Sequence, residues 1–414
     1  MTSATLDHMI SLIIFMAAIM IFIGFFSQTM QTGIAYQRHT ALSTKTSDLL
    51  ETILLNPGLP TNWGESDNAL VGFGLQDPSY SQYKVSHFSP MRLTSSTQSP
   101  VYYPRTDEYY SNITAGLGSY LLGPSTKSVN YSTVSNLMGI NGTYGFRLTL
   151  SPTISVSIEK ISVGAPMELL VKEAGTGYPF ANAPLSYSLL LVNEDGSEYP
   201  SHTITNGESV TDAAGSVKLS FPGIDGESQT YALIVYSYLD GVEGIGYYVH
   251  VPQSFTKSMV PLIDSFQDRR LLIAHGDSVG EPSEDPSYPQ LNYNASFVIL
   301  TEDYTLRQVP LDQPTAVGQV VYGSATEQDY ASITLPNSNG VLIVTYKGTE
   351  GATVQYGLVL APWGLGSMAF PLTFGGNPEG QNWVTTDIRQ VTIGGIAYHA
   401  KIELWSLQGY SRSS

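Results

Sequence analysis

Eighteen consecutive residues, Met9 to Phe26, are Met, Ile, Leu, Phe or Ala with only Ser11 and Gly24 among them, and no formal charge occurs between Asp7 and Arg38. At ~1.5 Å per residue a helix of that length spans ~27 Å, close to the hydrocarbon thickness of a bilayer, where only a helix or closed barrel satisfies its own backbone. A helix at the edge of a soluble core keeps one polar face, whereas this run is apolar all round. It predicts a membrane-spanning or filament-core helix, with Met9, Ile10, Leu12, Ile13, Ile14, Phe15, Ile19, Ile21, Phe22, Ile23, Phe25 and Phe26 as the anchor. A cleaved signal peptide is the rival reading. Met1 to His8 carries Asp7 but no Lys or Arg, and no small-x-small site follows Phe26, which favours a retained anchor. The nearest basic residues, Arg38 and Lys45, lean toward a cytoplasmic C-terminal side, but large folded regions translocate largely regardless of loop charge. The expected topology therefore has the N-terminus inside and the bulk of the chain outside the cell.

The helical signal continues past the apolar run. No Pro occurs from Ser27 to Leu55, and Met30, Ile34, Ala41, Leu42, Leu49, Leu50, Ile53 and Leu54 recur at amphipathic spacing. Asn56-Pro57-Gly58 ends it, because Pro57 disfavours helical geometry at Asn56 and Gly58 accepts left-handed dihedrals. Residues 1–56 are expected to form one helix of about 50 residues, ~75 Å long, whose second half offers an apolar stripe to a folded domain; two helices broken near Gly33 are the alternative.

The remainder reads as β. Of 414 residues only 13% are charged, Gly and Pro are abundant (39 and 24), and the net charge is −17. That charge leaves no excess of Lys and Arg to neutralise phosphates, which excludes nucleic acid as an expected partner. Without Cys there are no disulfides, no thiol catalysis and no Cys-ligated metals. Residues 57–150, rich in Ser, Thr, Tyr, Asn and Gly, are expected to form a small β or loop region docked on the helix. In 151–252, apolar runs (Ile154 to Val163, Met167 to Val171, Leu185 to Val192, Ser216 to Phe221, Tyr231 to Leu239) alternate with the turn signals Asp195-Gly196, Asn206-Gly207 and Asp240-Gly241, which predicts an antiparallel sandwich. Residues 253–414 show the same grammar and are expected to form a second β domain. The fold class is thus mainly β with one long N-terminal α-helix and tandem antiparallel β-sandwich domains.

The layout of hydrophobic helix, amphipathic continuation and β body resembles that of type IV pilins and pilin-like proteins. Asp48-Leu49-Leu50-Glu51, Asn56-Pro57-Gly58-Leu59-Pro60-Thr61-Asn62-Trp63-Gly64, Gly74-Leu75, Tyr83-Lys84-Val85-Ser86 and Met91-Arg92-Leu93 resemble archaeal pilin-like surface proteins over about the first 95 residues. The stretch Gly177 to Pro184, with Thr211-Asp212 and Gly215, is similar to the immunoglobulin-like or prealbumin-like modules of microbial surface proteins. These resemblances imply a pilin-like helix, spacer or adhesive modules, and no enzyme activity. The basic leader usual in prepilins is not seen before the helix, so cleavage by a prepilin peptidase is not expected.

Chemical motifs are sparse. Gly276-Asp277-Ser278-Val279-Gly280 matches a nucleophile elbow, yet Glu281-Pro282 follows where the elbow needs a helix. The acidic, Pro-rich stretch 276–288 is expected to be a solvated loop rather than a calcium site. The seven His are dispersed, with no metal-ligand spacing. Trp363, Trp383 and Trp405 are expected in packing roles rather than as a carbohydrate platform. Asn112, Asn130, Asn141 and Asn294 head N-glycosylation sequons, three of them clustered within 112–143.

These features predict a non-enzymatic, membrane-anchored cell-surface glycoprotein with structural or adhesive modules and no cofactor or metal. Its expected partners are the lipid bilayer, other copies through the N-terminal helix, and surface glycans or other surface proteins. The alternatives are a filament subunit assembled through the helix and an extracellular ligand-binding protein or hydrolase with its site in 253–414.

Overall fold

The computed structural model describes residues 2–93, 100–114, 120–162, 164–175, 177–239, 241–252, 258–276, 279, 290–311, 315–322, 330–350, 353–367, 369–381 and 383–407. The elements begin with α1 (Thr2–Leu54), β1 (Val101–Tyr103), β2 (Glu108–Thr114), β3 (Tyr120–Pro124), α2 (Tyr131–Leu137) and β4 (Tyr144–Pro152). Next come β5 (Ser155–Lys160), β6 (Met167–Ala174), β7 (Pro184–Val192), β8 (His202–Val210), β9 (Ser216–Phe221), β10 (Tyr231–Leu239) and β11 (Val242–His250). A third group is β12 (Met259–Ser265), β13 (Arg270–His275), β14 (Leu291–Leu300), β15 (Leu306–Val309), β16 (Val317–Val320), β17 (Tyr330–Thr334), β18 (Gly340–Glu350) and β19 (Thr353–Trp363). The last strands are β20 (Leu372–Gly375), β21 (Val384–Ile393) and β22 (Ile396–Ser406). The chain is mostly β with one long N-terminal helix, and that helix is continuous through Gly33.

Strands β5 to β11 make two facing sheets, β5-β6-β9 and β8-β7-β10-β11. Their shared core holds Met167, Leu169, Leu189, Phe221, Tyr231 and Leu233. The alternating burial along β6 follows from one face meeting this core and the other meeting solvent. The other face of β7 and β10 presents Leu190, Val192, Ala232, Ile234 and Tyr236, and these belong to the large core of the rest of the molecule. A second module stacks against it. Sheet β15-β14-β18-β19, with β16 on β14, lies between the β7 layer and the sheet β1-β2-β3-β12-β13-β17, and β19 touches β7 as well as β3 and β12. Burial on both faces explains the unbroken apolar run Val341-Leu342-Ile343-Val344 in β18, all four buried. Thr230 donates to the Tyr356 carbonyl at 2.8 Å and Thr345 to that of Pro200 at 2.6 Å, pinning the two layers.

A base closes the structure. β4 pairs antiparallel with β20 and β22, and β22 with β21; the last turns of α1 pack on β21 and β22, and a parallel bridge from β22 to β11 joins this base to the β8-β7-β10-β11 layer in one sheet. Residues 153–371 fall in sequence between the paired strands β4 and β20, and their β7, β8, β10 and β11 extend the same sheet. Strand pairing runs across the boundaries drawn from sequence at 150 and 252. Residues 101–124 complete a sheet with 259–275 and 330–334, and 144–152 pair with 396–406. Periodicity and turn residues report where strands are, not which distant strand each will pair with. One local signal also read differently: Asn206-Gly207 is no turn but lies within β8, opposite Ser188 and Tyr187.

Candidate functional site: the uncovered helix and the knot that holds it

Every anchor residue named from the sequence is between 42 and 71% exposed. Among the described side chains of α1 the first to be buried is Leu42, followed by Thr46, Leu49, Leu50, Ile53 and Leu54. The apolar stripe expected from Met30 onward thus divides. Its lower members Met30, Ile34 and Ala41 are uncovered, because β21 and β22 reach only the end of the helix. The apolar window has a mean hydropathy of 2.8 and none of it is buried. Moving these twelve large side chains out of water would be worth on the order of 18–36 kcal/mol at about 1.5–3 kcal/mol each. The helix is long and apolar enough to cross a membrane. Asp7 and Arg38 bracket roughly 30 uncharged residues, ~45 Å of helix, which matches a bilayer including its headgroup layers. Thr29 and Thr32 donate to the carbonyls of Phe25 and Gln28 at 2.9 Å, so their hydroxyls are satisfied within the helix.

The docked end is held by polar as well as apolar contacts. Buried Thr46 meets Thr385 of β21 at 2.5 Å and donates to the Leu42 carbonyl at 2.8 Å. Arg389 donates to the Ser47 hydroxyl at 3.0 Å and faces Glu51 at 3.7 Å. Exposed Trp383 meets His39 edge to face, with centroids 6.4 Å apart.

Beyond Leu54 the residues carrying the family resemblance converge on one knot. The Leu75 and Gln76 amides donate to the Ile53 and Asn56 carbonyls at 2.7 and 3.0 Å, satisfying acceptors the helix end leaves open. Gly58 sits at φ +84°, and a Cβ there would lie 2.7 Å from the Trp63 indole nitrogen, which itself donates to the Gly74 carbonyl at 2.9 Å. Lys84 bridges to Thr392 of β21, and Val85 donates to the Thr392 carbonyl at 2.9 Å. Arg92 is the hub. Its guanidinium lies 5.6 Å from the Trp63 ring centre and 5.9 Å from that of Phe266, and donates to the carbonyls of Trp63, Ser66, Asn68 and Lys127. Burial pulls its pKa below the usual value, and Asp67 opposes the fall. Asp67 in turn accepts from Ser265 at 2.7 Å and from the Phe266 amide at 3.1 Å. The knot ties the helix exit to the base and to the stacked layers.

His87, beside the knot, packs near Phe88 and Asn339, and burial drives its pKa down to about 4, with Lys84 adding to the fall and Asp77 opposing it. Glu173, in the core of the first sandwich, accepts from Ser237 at 2.7 Å, and burial raises its carboxyl pKa.

The other sequence candidates do not meet. Trp363 is buried against Phe88 and Phe266, and Trp405 is buried in the base. Trp383 is exposed beside His39 of the helix, away from buried Trp363. Asp277, Ser278 and Gly280 of the elbow motif, and residues 281–288, lie outside the described residues. No group of three His, Cys, Asp or Glu suited to a metal is found among the described residues. Asn130 and Asn141 are exposed, the former capping α2, whereas Asn294 is half-buried in β14 with its neighbour Ser296 buried; of Asn112 only the backbone, in β2, is described.

No protein-family model matches the sequence, and no curated protein is similar to it. Among solved structures, a biofilm associated protein BSP domain aligns at 12% identity with a TM-score of 0.14, covering 50% of this chain and 29% of its own. Red sea bream transglutaminase aligns at 11% and 0.18, covering 57% and 33%. A class 5 fimbriae chaperone, CfaA, aligns at 10% and 0.17, covering 50% and 98%. This chain spans about a third or less of the first two. At these TM-scores none of the three fixes a fold or a role for it.

Proposed function

We propose that this chain is a non-enzymatic, single-pass surface protein that displays stacked β modules outside the cell in a structural or adhesive role. The observation that carries the reading is the apolar first two-thirds of α1, uncovered by the chain's own fold while its last turns are locked into the base. A bilayer is the covering phase whose thickness the uncharged run fits. A filament core of like helices is the second reading, supported by the uncovered Met30 and Ile34 beyond the anchor. The exposed Asn130 and Asn141 suit N-glycosylation on the displayed body. Protease shaving of intact cells tests the orientation: the β modules are expected to be released as large fragments, and their survival on intact cells, with digestion only after lysis, would place the body inside and refute the proposal.

A further inference from the structure

A groove of about 490 Å³ opens where the outer face of the β7-β8-β10 layer meets the turn between β14 and β15. That volume falls in the range of small-molecule sites. Its floor is aromatic and continuous: Tyr304 lies beside both Tyr236 and Tyr238, with ring centres 6.5 and 6.2 Å apart. Tyr236 is buried and Tyr238 is 44% exposed, so the floor runs from the layer contact out to solvent. Val210 supplies an exposed apolar wall, and Glu208 brings a carboxylate. A second carboxylate acts from behind the floor, since the Tyr304 hydroxyl donates to Glu243 at 3.1 Å. A phenol that donates to an anion has a more electron-rich ring, and ring faces of that kind attract cations. No Lys, Arg or His is among the described residues that line the groove. Lining charge and ring quadrupoles therefore have one sign, and an anionic ligand would meet repulsion from each.

We propose that this groove binds an organic cation, an alkylammonium or guanidinium group on a small apolar body, supplied either by a free small molecule or by a Lys or Arg side chain of another protein. The apolar wall takes the carbon body, the Tyr238 and Tyr304 rings above buried Tyr236 face the charge, and Glu208 balances it at the rim. Calorimetry on the full chain in lipid nanodiscs tests this, with choline, N-acetyl-arginine amide, the neutral choline isostere 3,3-dimethylbutanol, and methyl glucoside as probes. The expected result is that at least one cation binds about tenfold or more tightly than the neutral isostere, and that Glu208→Gln weakens it about tenfold. Tyr238→Leu, at an exposed ring that folding does not need, should do the same without lowering the melting temperature. Binding of choline alone assigns a small-molecule ligand, and binding of the arginine derivative alone assigns a protein side chain. Equal binding of the isostere, binding of the glucoside without either cation, cation affinity untouched by both variants, or no heat from either cation at millimolar concentration would overturn the proposal.

Discussion

Gly357 stands directly across from Tyr346, and a Cβ on it would overlap the phenol ring. The same arrangement recurs at Tyr187 and Gly207, Tyr293 and Gly318, and Trp405 and Gly145, each a cross-strand pair in which the aromatic ring covers the glycine. This accounts for part of the Gly and Tyr content. Replacing Gly357 with Ala is expected to cost about 1–3 kcal/mol by overpacking. Tyr346→Val should remove most of that penalty in the double variant, as chemical denaturation of the four-member cycle would show. His87 gives a pH signature at the same scale. Its folded pKa of about 4 lies below the unfolded 6.5, so the unfolded chain takes up the proton first as pH falls. Its contribution is fully present above 6.5 and is lost between there and about 4, a ceiling of about 3 kcal/mol. Glu173 acts in the opposite sense, since a raised carboxyl pKa costs stability as pH rises through it. Denaturation midpoints from pH 7 to 4 should therefore fall more steeply for the native chain than for His87→Gln. Parallel curves would show that His87 is not held neutral by the fold.

At the scale of elements, α1 is one helix with two environments, and substitutions along it separate them. Leu50, fully buried against the base, should cost about 2–5 kcal/mol on truncation to Ala. Ile34→Ala, at an exposed position of the same stripe, should stay within about 0.5 kcal/mol. Thermal melts in detergent check the contrast, and equal losses would mean that the body covers more of the helix than described. The helix was legible in the sequence because its signals are local: an apolar run, an amphipathic spacing and a Pro-Gly stop. Strands β6, β7, β9 and β10 were legible for the same reason, each being an apolar run between turns. β8 was not, since His202 to Val210 is an edge strand with no buried residue, largely polar, that carries Asn206-Gly207 without turning. The knot was half legible. Trp63, Gly74 and Arg92 stood out through a family resemblance, but their joint role depends on carbonyls contributed by Ser66, Asn68 and Lys127, which no spacing rule connects.

At the scale of the molecule, the N-terminal helix is fastened by the closing pair β21 and β22, and β22 pairs with β4 from the other end of the body. The two stacked modules lie between them in sequence, so the chain leaves the base, builds its layers and returns. Pairing of residues 144–152 with 396–406 is the feature that a left-to-right reading of turns could not supply. The consequence is mechanical. Force on the stacked layers reaches α1 through a sheet whose strands span most of the chain, and through the Arg92 knot, rather than through a single linker.

The central claim is that residues before Leu42 serve an apolar phase outside the fold while the rest folds without them. Flotation on a density gradient with liposomes, comparing the full chain with one beginning at Ala41, tests both halves at once. The account predicts that the full chain floats with lipid and resists carbonate extraction, while the shortened chain stays at the bottom, soluble and monodisperse, with the native melting transition. A full chain that remains soluble and monodisperse without lipid or detergent would contradict it.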